Sequence, residues 1–330
     1  MSAIVGTAVA GPRGTPFQRL RARIVAVGAW LVGRAPEGLC FRVADVIGAV
    51  AYRTASGRRD QARANLARVA AWAAATGTGR PDVRAAADDP ARLERLVRAA
   101  FRHHARYWVE LIRAPRMTTD WIRERVRIAD RDVWDSVLAR GGPVIFIGLH
   151  MGAIELPGFY MVRLVGRPVT GPMEAVADPA LQRWFLATRS SVGLRLVGLR
   201  EARRELLAAL RDGGIVGLVA DRDLTGGGIP TPFFGRPAPL PAGPGLLVVE
   251  TGVPAVAVVV RRTLDVHYVA RLEALPVPEG ATRRDRVAAF LAAEAAAFER
   301  FILEAPEQWW GAFYPIWPDG LADETGGAER

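Results

Sequence analysis

"PVIFIGLHMGAIELPG" (143–158) runs an unbroken apolar segment into a histidine, and a glutamate follows five positions later. The segment has the length and texture of a strand buried on both faces, and a helical pattern over about 152–164 follows it. His150 therefore falls at the carboxyl end of a strand, where open α/β sheets collect their ligands. Glu155 lies about one helical turn further on. From there its carboxylate can fold back onto one ring nitrogen and leave the other to accept a proton. A histidine satisfied by its surroundings fits the same spacing.

The segments downstream repeat the strand–helix alternation. "RPVTGPM" (167–173), "LRLVGL" (194–199), "IVGLVAD" (215–221) and "PAVAVVVRR" (254–262) read as strands. Between them lie helical stretches, one of which places Asp178 at its N-cap, and an alanine-rich helix over about 282–304 closes the series. Such a series predicts an α/β fold with helices on both faces of the sheet. Upstream, helical periodicity dominates about 17–72, a polar Gly/Pro loop covers 75–90, and helices return at 91–113 and near 118–125. The expected organisation is a helical N-terminal segment (1–75), an α/β domain (76–320) and a disordered tail (321–330).

Charge is concentrated at one end. Residues 1–70 carry eleven arginines against Glu37, Asp45 and Asp60, which accounts for +8 of the chain's +10. The same region holds "IVAVGAWLV" (24–32) and "LCFRVADVIGAVAY" (39–52), each shorter than the ~18–20 apolar residues that span a bilayer. Arginines within 1–33 and the lack of a small-residue cleavage site argue against a signal peptide. Two readings stand: helices lying in an anionic membrane surface, or ordinary amphipathic helices with a solvated basic face. The basic segment is apolar and lacks an arginine–aromatic nucleic-acid module, so no nucleic-acid partner is expected.

Composition removes several chemistries. The chain has no lysine, so it has neither a phosphate loop with its lysine nor a Schiff base. It has no Gly-x-Ser-x-Gly elbow and no zinc-ligand cluster. Its one cysteine, Cys40, lies in an apolar segment and reads as a small buried hydrophobe. His103 and His104 share a helix with Arg102 and Arg106 and read as part of a solvated face. Any catalysis thus rests on a base without its own nucleophile, acting on a hydroxyl that a substrate supplies and that attacks a reactive carbonyl. A thioesterase or esterase using water, and a non-catalytic protein binding anionic lipid, are the alternatives.

The motifs resemble those of the bacterial lysophospholipid acyltransferase superfamily, in its lipid A late acyltransferase and phosphatidylinositol mannoside acyltransferase branch. His150 and Glu155 match its His-x4-Asp/Glu motif, and "RRDQARANLARV" (58–69) resembles its Arg-through-Asn-Leu signature. "ATRSSVG" (187–193), "LVADRDLTGGGIPTPFFGRPAPLPAGP" (218–244), "TGVPAVAV" (251–258) and "APEQWWGAFYPIW" (305–317) resemble its later blocks. Ala153-Ile154 stand where many relatives carry Asn-Trp.

The resemblance implies a mixed sheet flanked by helices, in a peripheral enzyme that docks on the cytoplasmic face of the plasma membrane through its basic, apolar helical N-terminal segment (1–75). It would move an acyl group from acyl-CoA or acyl carrier protein to a hydroxyl of a membrane glycolipid or lysophospholipid, with no bound cofactor and no metal. It implies His150 as general base, Glu155 as its partner, and Arg189, Asp221, Arg222 and Asp223 lining the site on the substrates' phosphates. An acyl groove would lie between the α/β core and the N-terminal helices.

Overall fold

The computed structural model describes residues 15–174, 177–224, 226–265, 267–277 and 279–317. The expected tail at 321–330 lies outside them.

The N-terminal periodicity resolves into α1 (Pro16–Arg34), α2 (Glu37–Thr54) and α3 (Ser56–Thr76). A capping box starts α1: Thr15 Oγ1 accepts from the Gln18 N–H, and the Gln18 side chain accepts from the Thr15 N–H. The polar loop that follows contains a short helix, α4 (Pro81–Ala85), before α5 (Pro90–Arg113), whose first turn is capped by Asp89. Next come α6 (Thr119–Arg125), β1 (Val126–Ile128), α7 (Arg131–Arg140) and β2 (Val144–Gly148).

Beyond β2 the helix α8 begins only at Leu156 (Leu156–Tyr160) and runs on as a π-helical turn, Met161–Val165. The remaining elements are β3 (Val169–Met173), α9 (Pro179–Ser190), β4 (Leu194–Gly198), α10 (Ala202–Arg211), β5 (Ile215–Val219), β6 (Ile229–Phe233), β7 (Arg236–Leu240), α11 (Gly243–Thr251), β8 (Ala255–Arg262), β9 (Tyr268–Leu275) and α12 (Arg283–Glu304). Asp178 caps α9 as the sequence predicts, accepting from the Ala180 and Leu181 N–H groups.

Seven strands form one sheet in the order β1-β9-β8-β2-β5-β3-β4, parallel throughout except for the β8–β9 pair. The sheet is mixed, as expected. The uniformly apolar strands serve both faces by strict alternation. Ile145 and Ile147 of β2 join Ala255, Ala257 and Val259 of β8 in a core beneath α3, α5, α10, α11 and α12. Val144, Phe146, Val256, Val258 and Val260 join Trp134, Leu156 and Phe159 on the other face. The β6–β7 hairpin was not foreseen, because Pro230, Pro232, Pro237 and Pro239 hide its strand character.

A buried polar residue ties α3 to the far end of the chain. Asn65 Nδ2 donates to the carbonyls of Ala312 and Tyr314, both at 2.8 Å, while Gln61 Nε2 donates to Asn65 Oδ1. Substituting Asn65→Ala leaves those carbonyls without their donor and should lower unfolding free energy by about 1–3 kcal/mol. Urea denaturation followed by circular dichroism measures it, and a midpoint equal to the parent's would refute the assignment.

Candidate active site

Parallel pairing of β2 with β5 sets Gly148 beside Val219, and the Ala220 N–H donates to the Gly148 carbonyl. Two residues beyond that rung on either strand stand His150 and Asp221. Their side chains meet, with His150 Nδ1 at 2.6 Å from Asp221 Oδ1. A carboxylate only accepts, so Nδ1 carries the proton and Nε2 is left for a substrate. The other oxygen, Asp221 Oδ2, accepts from Trp309 Nε1 at 2.8 Å. Asp221 is wholly buried. Burial alone would raise its carboxyl, but the His150 ring, the Trp309 indole and the His150 backbone N–H together hold it below the ordinary value of 3.8.

Here the structure departs from the reading of Glu155 as the imidazole's partner. The chain does not enter a helix at residue 152. Gly152 instead adopts φ +58, in the left-handed region, and donates its N–H to the Gln308 carbonyl. A Cβ there would fall 2.1 Å from the Val260 carbonyl oxygen. This turn delays α8 and carries Glu155 towards α9, where Arg189 grips Oε1 through Nη2 at 2.7 Å and Nε at 2.9 Å. Tyr107 of α5 completes the group, its hydroxyl 3.4 Å from Arg189 Nη2. Burial raises the Tyr107 phenol, so it stays a neutral donor.

The remaining expected residues separate. Arg222 lies at the groove's mouth, donating to Glu174 Oε2 at 3.1 Å with its guanidinium 3.9 Å above the Tyr314 ring. Asp223 instead braces the glycine-rich loop, accepting from the Gly228 N–H at 2.7 Å.

The C-terminal turn supplies parts that no spacing in the sequence assigned to the site. Trp310 packs edge-on against His150, ring centroids 4.7 Å apart, and stacks on Tyr107. Gly311 donates its N–H to the His150 carbonyl. A Cβ on Gly311 would lie 2.4 Å from Asp221 Oδ2 and 2.5 Å from Trp309 Nε1, so only glycine admits that hydrogen bond.

His103 and His104 are not the solvated pair expected from their arginine neighbours. Burial and nearby arginines push His103 down to about 2 and His104 to about 4, so both rings are neutral. His104 sits in the aromatic cluster with Trp310 and Phe313. The expectation for Cys40 agrees with its burial.

His150 opens onto an apolar groove of about 390 Å³. Its walls come from β2, β3, β4, β5 and β8 with α5, α8, α9 and Trp310. Among the described residues none of the lining belongs to α1–α3, so the groove does not lie against the N-terminal helices as expected. The lining holds no serine, threonine or cysteine. No group of three metal-ligating side chains occurs among the described residues.

A half-buried imidazole held by a buried carboxylate, on an apolar groove whose lining offers no hydroxyl or thiol, is a setting that suits a general base. Residues 81–311 match the family described as bacterial lipid A biosynthesis acyltransferase. The chain belongs to that family, and it is an acyltransferase. It is 35% identical over 233 residues to a phosphatidylinositol mannoside acyltransferase of Mycolicibacterium smegmatis, covering 69% of this chain and 70% of that protein. It is 33% identical over 232 residues to a phosphatidylinositol mannoside acyltransferase of Mycobacterium tuberculosis (strain CDC 1551 / Oshkosh), covering 68% and 67%.

One further carboxyl lies near. Glu294 of α12 is wholly buried, and neither of its oxygens has a hydrogen-bond partner among the described residues. Burial, and secondly the Asp221 charge, raise it well above 4.5. Unfolded, it ionises above 4.5; folded, it stays neutral, so its contribution is full below 4.5 and is lost as pH rises. Glu294→Gln should therefore gain stability over the parent as pH climbs above 4.5, by up to about 1.4 kcal/mol per pH unit. Thermal melts across pH test this, and parallel curves would refute it. Gly311→Ala should melt as a folded protein yet lose about a hundredfold in kcat, a loss measured by acyl transfer to lipid acceptors.

Proposed function

We propose that this protein transfers a fatty acyl group from a thioester, acyl-CoA or acyl carrier protein, to a hydroxyl of a membrane glycolipid of the phosphatidylinositol mannoside class. The observation that carries the reading is the Asp221–His150 pair opening onto the apolar groove. The acceptor and donor classes follow from the relatives' names and from the superfamily resemblance. His150 Nε2 takes the proton from the acceptor hydroxyl as its oxygen attacks the thioester carbonyl. The tetrahedral intermediate collapses, the C–S bond breaks, and the imidazolium returns the proton to the departing thiolate. Asp221 orients the ring and offsets its transient charge.

The groove's floor suits an extended acyl chain. Phe146 of β2 pairs with Gly217 of β5, and Gly171 of β3 pairs with Leu196 of β4. A Cβ on Gly171 would come within 2.7 Å of the Gly217 carbonyl oxygen, so the two glycines adjoin. Together they clear a trough bounded by Phe146 and Leu196.

The N-terminal helices suit an anionic lipid surface. Phe17, Leu20, Ile24, Val27, Trp30 and Leu31 of α1 are more than half exposed, in steps of three and four. Leu39, Val43, Val46, Ile47 and Val50 of α2 make a second uncovered stripe, and Arg19, Arg23, Arg42 and Arg53 flank the two in solvent. No described helix is long and apolar enough to cross a membrane. The protein then lies on the cytoplasmic face, where both thioester donors are found.

His150→Ala should abolish transfer while leaving the fold intact, and mass spectrometry of lipid products from a glycolipid acceptor reads the result. Full activity in that variant would sink the mechanism, and release of free fatty acid without acylated lipid would make the protein a hydrolase. Gly217→Val should shift preference towards shorter donors across a chain-length series; an unchanged preference would place the chain elsewhere. Ile24→Glu combined with Val46→Glu should release the protein from anionic vesicles in co-sedimentation, and retention would remove the stripes from the interface.

A further inference from the structure

Arg262, the last residue of β8, and Glu110 of α5 form an ion pair with both side chains about 5% exposed. Arg262 Nη2 donates to Glu110 Oε2 at 2.8 Å, and the Tyr268 hydroxyl donates to Glu110 Oε1 at 2.9 Å. The carboxylate is thus fully engaged. A buried ion pair generally stabilises a fold no better than apolar residues of the same shape. Its retention calls for a reason beyond stability.

The rest of Arg262's contacts supply one. Nη2 also donates to the Gly152 carbonyl at 3.1 Å, and Nη1 lies 3.1 Å from His103 Nδ1, which the neutral ring offers as an acceptor. The Arg262 backbone is clasped from both sides by one amide: its N–H donates to Gln308 Oε1 and its carbonyl accepts from Gln308 Nε2, each at 2.8 Å. Gln308 in turn gives its own carbonyl to the Gly152 N–H at 3.0 Å. The two turns joined in this way are the ones that carry the chemistry: 150–153 with His150, and 308–311 with Trp309 and Gly311.

We propose that Arg262, held by Glu110, is the positioning residue that fixes the His150 turn against the Trp309 turn and so sets the His150–Asp221–Trp309 geometry. The proposal rests on His150 acting as the base of acyl transfer. The planar guanidinium reaches Glu110, His103 and Gly152 at once, which a point-charged ammonium cannot do. None of these contacts touches the acyl groove's floor, so loosening them disturbs the orientation of the base and leaves substrate binding alone.

The test compares Glu110→Leu, Arg262→Met, their combination, and Arg262→Lys in the full chain. Each single removal strands a buried partner and should depress the melting temperature strongly, whereas the double variant should melt close to the parent. In the double variant kcat for acyl transfer should nevertheless fall by between about tenfold and about a hundredfold, with KM unchanged. The downfield proton resonance of His150 Nδ1–H, assigned by its absence in His150→Gln, should move or broaden. Arg262→Lys should show the same kcat loss in a protein that keeps the charge, and it serves if the double variant does not fold.

A double variant, or Arg262→Lys, with parental kcat and an unmoved resonance would overturn the proposal. If the parent itself transfers no acyl group, the functional reading fails instead, and the resonance alone decides whether Arg262 positions the histidine.

Discussion

A carboxylate with no access to water must have its lone pairs filled by the protein, and Asp221 imposes that demand on everything around it. The parallel register of β2 and β5 brings His150 to one oxygen, and the C-terminal turn brings the Trp309 indole to the other. Gly311 is required because any side chain would fill the space where the indole meets the carboxylate. Gly152 is required because the turn carrying His150 passes against the backbone at Val260. These constraints come from three distant parts of the chain, and each is met by the residue type that satisfies one buried charge.

The two carboxylates near His150 do different work for physical reasons. Glu155 takes two hydrogen bonds from Arg189 on one oxygen, a pair that joins α8 to α9 along the groove's wall. Asp221 is held by His150 Nδ1 at one oxygen and by Trp309 Nε1 at the other. Against the cost of burial, the His150 ring first and the Trp309 indole after it hold the carboxyl below its ordinary value. Glu294, behind them, has its carboxyl raised by burial first and by the Asp221 charge second.

Strands β2, β3, β4, β5 and β8 were legible because long apolar runs bounded by Gly and Pro leave few other readings. So were α12 and the cap of α9 at Asp178. His150 was legible as a strand-end residue for the same reason. Its partner was not, because that required knowing that β5 lies beside β2, a non-local fact that spacing along the chain does not carry. Glu155 drew the assignment by proximity in sequence, and a single left-handed glycine was enough to redirect it. The partial burial of His103 and His104 was hidden in the same way: the arginines beside them suggested solvent, while the aromatic turn and Arg262 that cover them lie more than 150 residues away.

The same non-locality explains why the sheet is mixed. In a wholly parallel sheet each strand needs a crossover, and the chain would leave the carboxyl edge after β8. The antiparallel β8–β9 pair keeps Arg262 at the end of β8, opposite Tyr268 at the start of β9, so that both reach Glu110 on α5. From β9 the chain enters α12, whose length returns it across the molecule to deliver Gln308, Trp309 and Gly311 to the carboxyl ends of β2 and β5. The one reversal in strand direction thus lets the last described turn of the chain close over a histidine met near its middle, and the buried cation beside that reversal is where the two are fastened.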